Sequence, residues 1–166
     1  MNIVTKYGAI FSCLFALAAC ETPSEADTTG VGNENTTPTT GDSVGSSTMQ
    51  EAFNQQAGDR VFFALDSSVV TSEGRATLER QAQWLNQNPS VAAVVEGHCD
   101  ERGTREYNLA LGERRGNAAR DVLVAAGVSP ARLTVISYGK ERAAVMGSDE
   151  QSWAQNRRAV TVLTAQ

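Results

Sequence analysis

Residues 59–166 predict an α/β fold: a two-layer α/β sandwich with a mixed sheet and the element order β-α-β-α-β-β. Three observations carry this. Short runs of β-branched and aromatic residues alternate with segments of helical period, the pattern of a sheet covered by helices. Val91-Ala92-Ala93-Val94-Val95-Glu96 is apolar on both faces, as a central strand is. A long helical segment from about Glu106 to Ala126 stops at Gly127, a residue suited to helix C-termini.

The elements follow in order. Arg60-Val61-Phe62-Phe63-Ala64-Leu65 reads as the first strand. Ser72 and Glu73 suit a helix start, and Leu78, Ala82 and Leu85 recur at helical spacing until Asn88-Pro89 ends the helix. The central strand at 91–96 runs into a loop, Cys99 to Arg105, and then the long helix. Ser129-Pro130 opens a short helical turn. Arg132 to Tyr138 reads as a strand, a long loop carries a helical turn near Glu150–Asn156, and Ala159 to Leu163 forms the last strand.

The rest of the chain is different in kind. The formal net charge of −5 resides in residues 21–58, which hold Glu21, Glu25, Asp27, Glu34, Asp42 and Glu51 but no Lys or Arg. From Asp59 onward acidic and basic residues balance, which argues against a generic nucleic-acid binder. Residues 20–58 are rich in Thr, Ser and Gly and poor in large apolar residues, so they read as a flexible tether. About 38 flexible residues span roughly 35 Å on average and about 125 Å when stretched. Residues 1–19 carry Lys6 and then an apolar run from Ala9 to Ala19. At about 11 residues the run is too short for a bilayer span but suits a signal-peptide core. Leu17-Ala18-Ala19-Cys20 resembles a bacterial lipobox. The resemblance implies cleavage before Cys20 and acylation of that residue, several acyl chains being needed for firm membrane attachment.

The long helix holds a misplaced charge. With Leu111 set at 0°, Ala118, Val122 and Ala126 fall between about −20° and 60°, and Arg115 falls at about 40°, among them. Asn108 falls at about 60°, and Arg120 at about 180°, in solvent. A guanidinium does not shed its proton, so Arg115 must snorkel, meet a carboxylate such as Glu96 or Asp100, or line a pocket that accepts one. It lies near the loop Gly97-His98-Cys99-Asp100-Glu101-Arg102-Gly103, at the strand ends where α/β folds tend to keep their sites.

Glu96-Gly97-His98-Cys99-Asp100-Glu101-Arg102-Gly103-Thr104, Glu106-Tyr107-Asn108, Leu111-Gly112-Glu113-Arg114-Arg115, Ser137-Tyr138-Gly139-Lys140-Glu141 and Asn156-Arg157-Arg158-Ala159-Val160 together resemble the peptidoglycan-associated lipoprotein (Pal) family, a branch of the OmpA-like peptidoglycan-binding domains. The resemblance covers 60–163. It implies an outer-membrane lipoprotein, anchored through Cys20, whose periplasmic domain binds peptidoglycan stem peptides at meso-diaminopimelate. It also implies TolB and other Tol proteins as partners, and a role of the Tol-Pal system in envelope integrity and constriction at division. A wall-anchoring lipoprotein outside the Tol system is the alternative. Carried over by position, Asp100 and Arg115 are the main determinants, with Asp66, Leu65, Asn108 and Arg157 as further candidates. Arg115 suits the ligand carboxylate and Asp100 its ammonium. Glu21 rather than Asp after the lipidated cysteine leaves the outer membrane as destination. Three residues depart from the pattern: Leu65 stands for an aromatic, Cys99 for Ala or Thr, and Gly116 for Ala. Gly116 is expected at about 140° on the wheel, facing outward.

An enzyme is disfavoured. His98 is the single histidine, and on a strand it and Cys99 point to opposite faces, so they do not form a nucleophile–base pair. One His and one Cys are too few for a metal site, and no cofactor is expected. A glycan hydrolase built on Asp66 and Asp100 fits poorly with an arginine between them. His98 reads as a structural residue of the loop and Cys99 as a packed thiol.

Overall fold

A computed structural model describes residues 42–165. The expected signal segment, Cys20 and the first part of the expected tether lie outside the described residues. The elements are α1 (Asp42–Gln56), β1 (Arg60–Phe62), α2 (Ser72–Gln87), β2 (Val91–His98), α3 (Arg105–Ala125), a 3-10 turn (Pro130–Arg132), β3 (Leu133–Gly139), α4 (Glu150–Asn156) and β4 (Arg158–Ala165). Among the described residues no helix is long and apolar enough to cross a membrane.

The four strands form one mixed sheet in the order β1-β4-β2-β3. β4 runs antiparallel to both β1 and β2, and β2 is parallel to β3. The parallel pair requires a long crossover, which α3 supplies. Alternate strand residues Val61, Ala93, Val95, Leu133, Ala159 and Leu163 are buried, together with Leu78 and Leu85 of α2 and Val122 and Leu123 of α3. This is the two-layer α/β sandwich that the alternation of patterns predicts.

Two expectations are corrected. Residues 42–56, placed in the tether, are helical, and Phe53 is fully buried with its ring edge-on to Trp84 at 5.2 Å between centroids. Gln50 grips the edge of β4 beyond the reach of β1: its Oε1 accepts from Leu163 N at 2.7 Å. A polar sequence is thus held as a helix by a few long-range contacts rather than by its own hydrophobicity. Gly116, expected to face outward, is buried against Val135. The buried positions of α3 are Asn108, Leu111, Gly112, Arg115, Gly116, Ala119, Val122 and Leu123, while Ala126 is exposed. The buried arc is therefore rotated away from the one anchored on Ala118 and Ala126.

The first strand is also shorter than its apolar run. Only Arg60–Phe62 pair with β4; Phe63 N still donates to Arg157 O at 2.9 Å, and the chain then turns away through Leu65 and Asp66. Asp66 has φ 53°, a left-handed conformation that Asp tolerates better than most residues.

Candidate functional site

The loop after β2 is fixed by side chains reaching its backbone. Asn108, buried on the first turns of α3, donates from Nδ2 to Arg102 O at 2.7 Å and Thr104 O at 3.0 Å. Lys140 Nζ donates to Glu101 O and Gly103 O at 3.0 and 2.7 Å. Thr104 caps α3, its hydroxyl accepting from Tyr107 N. Gly103 takes φ 87°, a turn that favours a residue without Cβ.

Arg115 joins this loop to the segment after β1. It is 1% exposed. Its Nε donates to Ser67 O at 2.8 Å, Nη2 to Ala64 O at 3.1 Å, and Nη1 to His98 O at 2.9 Å and Cys99 Sγ at 3.3 Å. The guanidinium also sits 5.3 Å from the Phe63 ring centroid. Neither internal salt bridge considered for it forms: Glu96 lies against His98, and Asp100 against Arg102 and Arg157. Burial lowers the Arg115 pKa from its ordinary value, partly opposed by the nearby Cys99 and Asp100. Arg115 is thus a buried cation solvated by main-chain carbonyls, stapling 64–67 to the end of β2.

Those two segments line an open cleft of about 340 Å³, bounded by Leu65, Asp66, Asp100, Arg102, Gly103 and Tyr107. Leu65 is 58% exposed, an apolar wall in the position where an aromatic was expected from the family pattern. The Tyr107 hydroxyl donates to Asp66 Oδ1, closing one side. Asp100 is 5% exposed and saturated with donors. Its Oδ1 accepts from Arg102 N and Nε, both at 3.1 Å; its Oδ2 accepts from Arg102 Nη2 at 2.6 Å and Arg157 Nη1 at 3.4 Å. Burial pushes the Asp100 carboxyl up, but the hydrogen bonds and charge of Arg102, with Arg157, outweigh it and hold the pKa below its ordinary value. Arg157 is buried behind Asp100, donating also to Phe63 O at 3.1 Å and Glu150 Oε1 at 2.7 Å.

Of the residues singled out from the sequence, Leu65, Asp66 and Asp100 share the cleft, whereas Asn108, Arg115 and Arg157 stand behind it and hold its walls. Arg115 therefore does not face Asp100 across an open pocket. Sequence reasoning missed Arg102 and Tyr107 as lining residues. The signal for Arg102 was its place two residues after Asp100 in a loop, where a backbone N–H and a side chain can both turn back on the carboxylate.

His98 and Cys99 have structural contacts. His98 stacks on Tyr138 at 5.6 Å and 26°, with Nε2 3.2 Å from Glu96 Oε2. Cys99 Sγ donates to Asn108 O at 3.4 Å, and burial raises its pKa. A thiol held protonated is a poor nucleophile.

The OmpA family model matches residues 62–157. The peptidoglycan-associated lipoprotein of Mesorhizobium japonicum is 49% identical over 91% of this chain and 87% of its own. The crystal structure of the peptidoglycan-associated lipoprotein from Burkholderia pseudomallei matches with a TM-score of 0.62 and 44% identity, covering 64% of this chain and 90% of that one. The C-terminal domain of Helicobacter pylori MotB, at 22% identity and a TM-score of 0.59 over 65% of this chain and 85% of that one, shares the fold alone. The relatives carry the name of a wall-associated lipoprotein and not of an enzyme.

Proposed function

The chain belongs to the OmpA family, within its peptidoglycan-associated lipoproteins, and from that premise we propose that its cleft binds the meso-diaminopimelate residue of peptidoglycan stem peptides without chemical change. The observation that carries the reading is the grouping of Asp66, Asp100 and Arg102 around one open cleft, with the Arg115 charge behind its two walls. The far end of diaminopimelate bears an ammonium and a carboxylate on one carbon. Asp100 offers the ammonium a carboxylate in a sheltered site. Arg115 has five N–H groups, and the four contacts above leave one on Nη2 for a carboxylate, provided the segment 64–67 gives way. Asn108 and Arg157 position the loop and Asp100; Leu65 packs on the aliphatic stem.

The wider role follows from the same premise. The domain ties the outer membrane to the wall, with Cys20 as the acylated anchor and residues 21–41 as the tether. TolB and other Tol proteins are its proposed partners, in envelope integrity and constriction at division. Capture of TolB from a periplasmic extract by the immobilised chain, reduced by added sacculi, is the expected result. No capture would favour the same wall-anchoring role outside the Tol system.

The binding reading is tested by titrating the full chain with two tripeptides, L-Ala-γ-D-Glu-meso-diaminopimelate and its L-Lys counterpart. Lysine lacks the carboxylate and leaves a cation of the site without its partner, at a cost on the order of 2–5 kcal/mol. The diaminopimelate peptide is expected to bind at least tenfold more tightly, by roughly 1.4 kcal/mol or more. Equal affinities would overturn the assignment.

A further inference from the structure

We propose that Arg102 is an exchangeable counter-ion of Asp100, occupying in the free protein the place that a ligand ammonium takes in the complex. The inference rests on the reading of the cleft given above and adds to it a competitor built into the loop.

The donors on Asp100 are not equivalent. The Arg102 main-chain N–H is fixed by the loop, and the Arg157 guanidinium is buried and tied also to Phe63 O and Glu150. The Arg102 side chain is different. It takes both carboxylate oxygens, through Nε at 3.1 Å and Nη2 at 2.6 Å, yet it is 33% exposed and lines the cleft. An ammonium entering the cleft finds both Asp100 oxygens already filled. Binding therefore requires a donor to leave, and this guanidinium is the one with freedom to move.

It also has somewhere to go. Its Cζ lies 4.0 Å from the Trp153 ring centroid, and its Nη1 is 3.8 Å from Glu150 Oε2. Trp153 is held under it by a hydrogen bond from Nε1 to Glu101 Oε1 at 3.0 Å. A guanidinium sliding off Asp100 keeps the aromatic face and the Glu150 carboxylate it already lies beside, so exchange leaves no bare charge. The device has a consequence for selectivity. A neutral ligand has nothing with which to replace Arg102, so only a group carrying positive charge opens the pair.

The test is titration of the full chain and its variants with the L-Ala-γ-D-Glu-meso-diaminopimelate peptide. Removing a competitor worth as much as a partly exposed ion pair tightens binding, so Arg102→Gln is expected to bind about threefold to fivefold more tightly than the parent. Arg102→Lys, which keeps a charge but not the two-pronged grip, is expected to fall between them. A residue that merely holds the loop, or that grips the ligand itself, predicts the opposite sign. Parent binding with Arg102→Gln equal or weaker overturns the exchange. Absence of binding by the parent and Arg102→Gln alike overturns the diaminopimelate reading, and the exchange with it.

Discussion

Gly97 of β2 and Gly112 of α3 meet backbone to backbone: a Cβ on Gly97 would lie 1.8 Å from the Gly112 carbonyl oxygen. Nothing flexible stands between them, so a side chain there moves the helix or the strand. The same helix carries Arg115 and Asn108, and the same strand ends at the cleft. Gly97→Ala is expected to lower stability by about 3 kcal/mol or more. Gly116→Ala is the informative contrast. There a Cβ meets the Val135 Cγ1 methyl at 2.6 Å, a side-chain clash that Val135 must shift to relieve, and its cost is offset by the about 1 kcal/mol of helix propensity that Ala gains over Gly. Denaturant unfolding of both variants should show a large loss for the first and a small net change for the second.

Arg115→Lys is expected to fail as a conservative change. The three carbonyls of Ala64, Ser67 and His98 face a planar fork of donors, and an ammonium on a flexible stem does not reach all of them. Each buried acceptor left unpaired costs about 1–3 kcal/mol. Both Arg115→Lys and Arg115→Ala should therefore lose stability and sacculus binding together, as the 64–67 segment comes loose. Asp100→Asn, which leaves that staple intact, should lose sacculus binding with a smaller loss in the unfolding curve.

Phe53→Ala tests whether α1 belongs to the domain. Phe53 is buried against Trp84, and removing such a ring costs about 3–5 kcal/mol. A true tether would show no change. A fragment beginning at residue 59 should be destabilised for the same reason, and comparison of its urea midpoint with that of the full chain checks this.

The central strand was legible because its signal is local, apolar residues on both faces; the helical turn at Glu150–Asn156 is likewise held locally, by Asp149 accepting from Ser152 N in the structure. Helix α1 was not legible, because its burial rests on Phe53 and Gln50 meeting partners far along the chain, Trp84 and Leu163. Arg115 announced itself as a charge on an apolar face. Its partners did not, since carbonyls of residues 64 and 67 have no sequence signature and come close only because the first strand ends at Phe62. Arg102 and Tyr107 reach the cleft through loop and rotamer geometry, which periodicity does not encode.

His98 is expected to make stability fall between pH 6.5 and 4. Burial lowers its pKa from 6.5 to about 4, helped by the Arg158 and Arg142 charges, so at neutral pH the ring is neutral and its contact with Glu96 is a hydrogen bond rather than an ion pair. Between those two values the unfolded chain binds a proton that the folded chain refuses, so stability rises with pH across the window. The full contribution, about 3 kcal/mol, is present above pH 6.5 and is lost as pH falls toward 4. Asp100, with its pKa held below 3.8, acts in a separate window: its contribution is present above that value and is lost only as pH falls further, through its folded-state pKa. His98 is the single histidine of the chain, which isolates the upper window. Stability of His98→Gln, measured by urea unfolding from pH 7 to 5, should therefore change less with pH than the parent's, whatever its absolute value; parallel curves would show that His98 is not the group responsible.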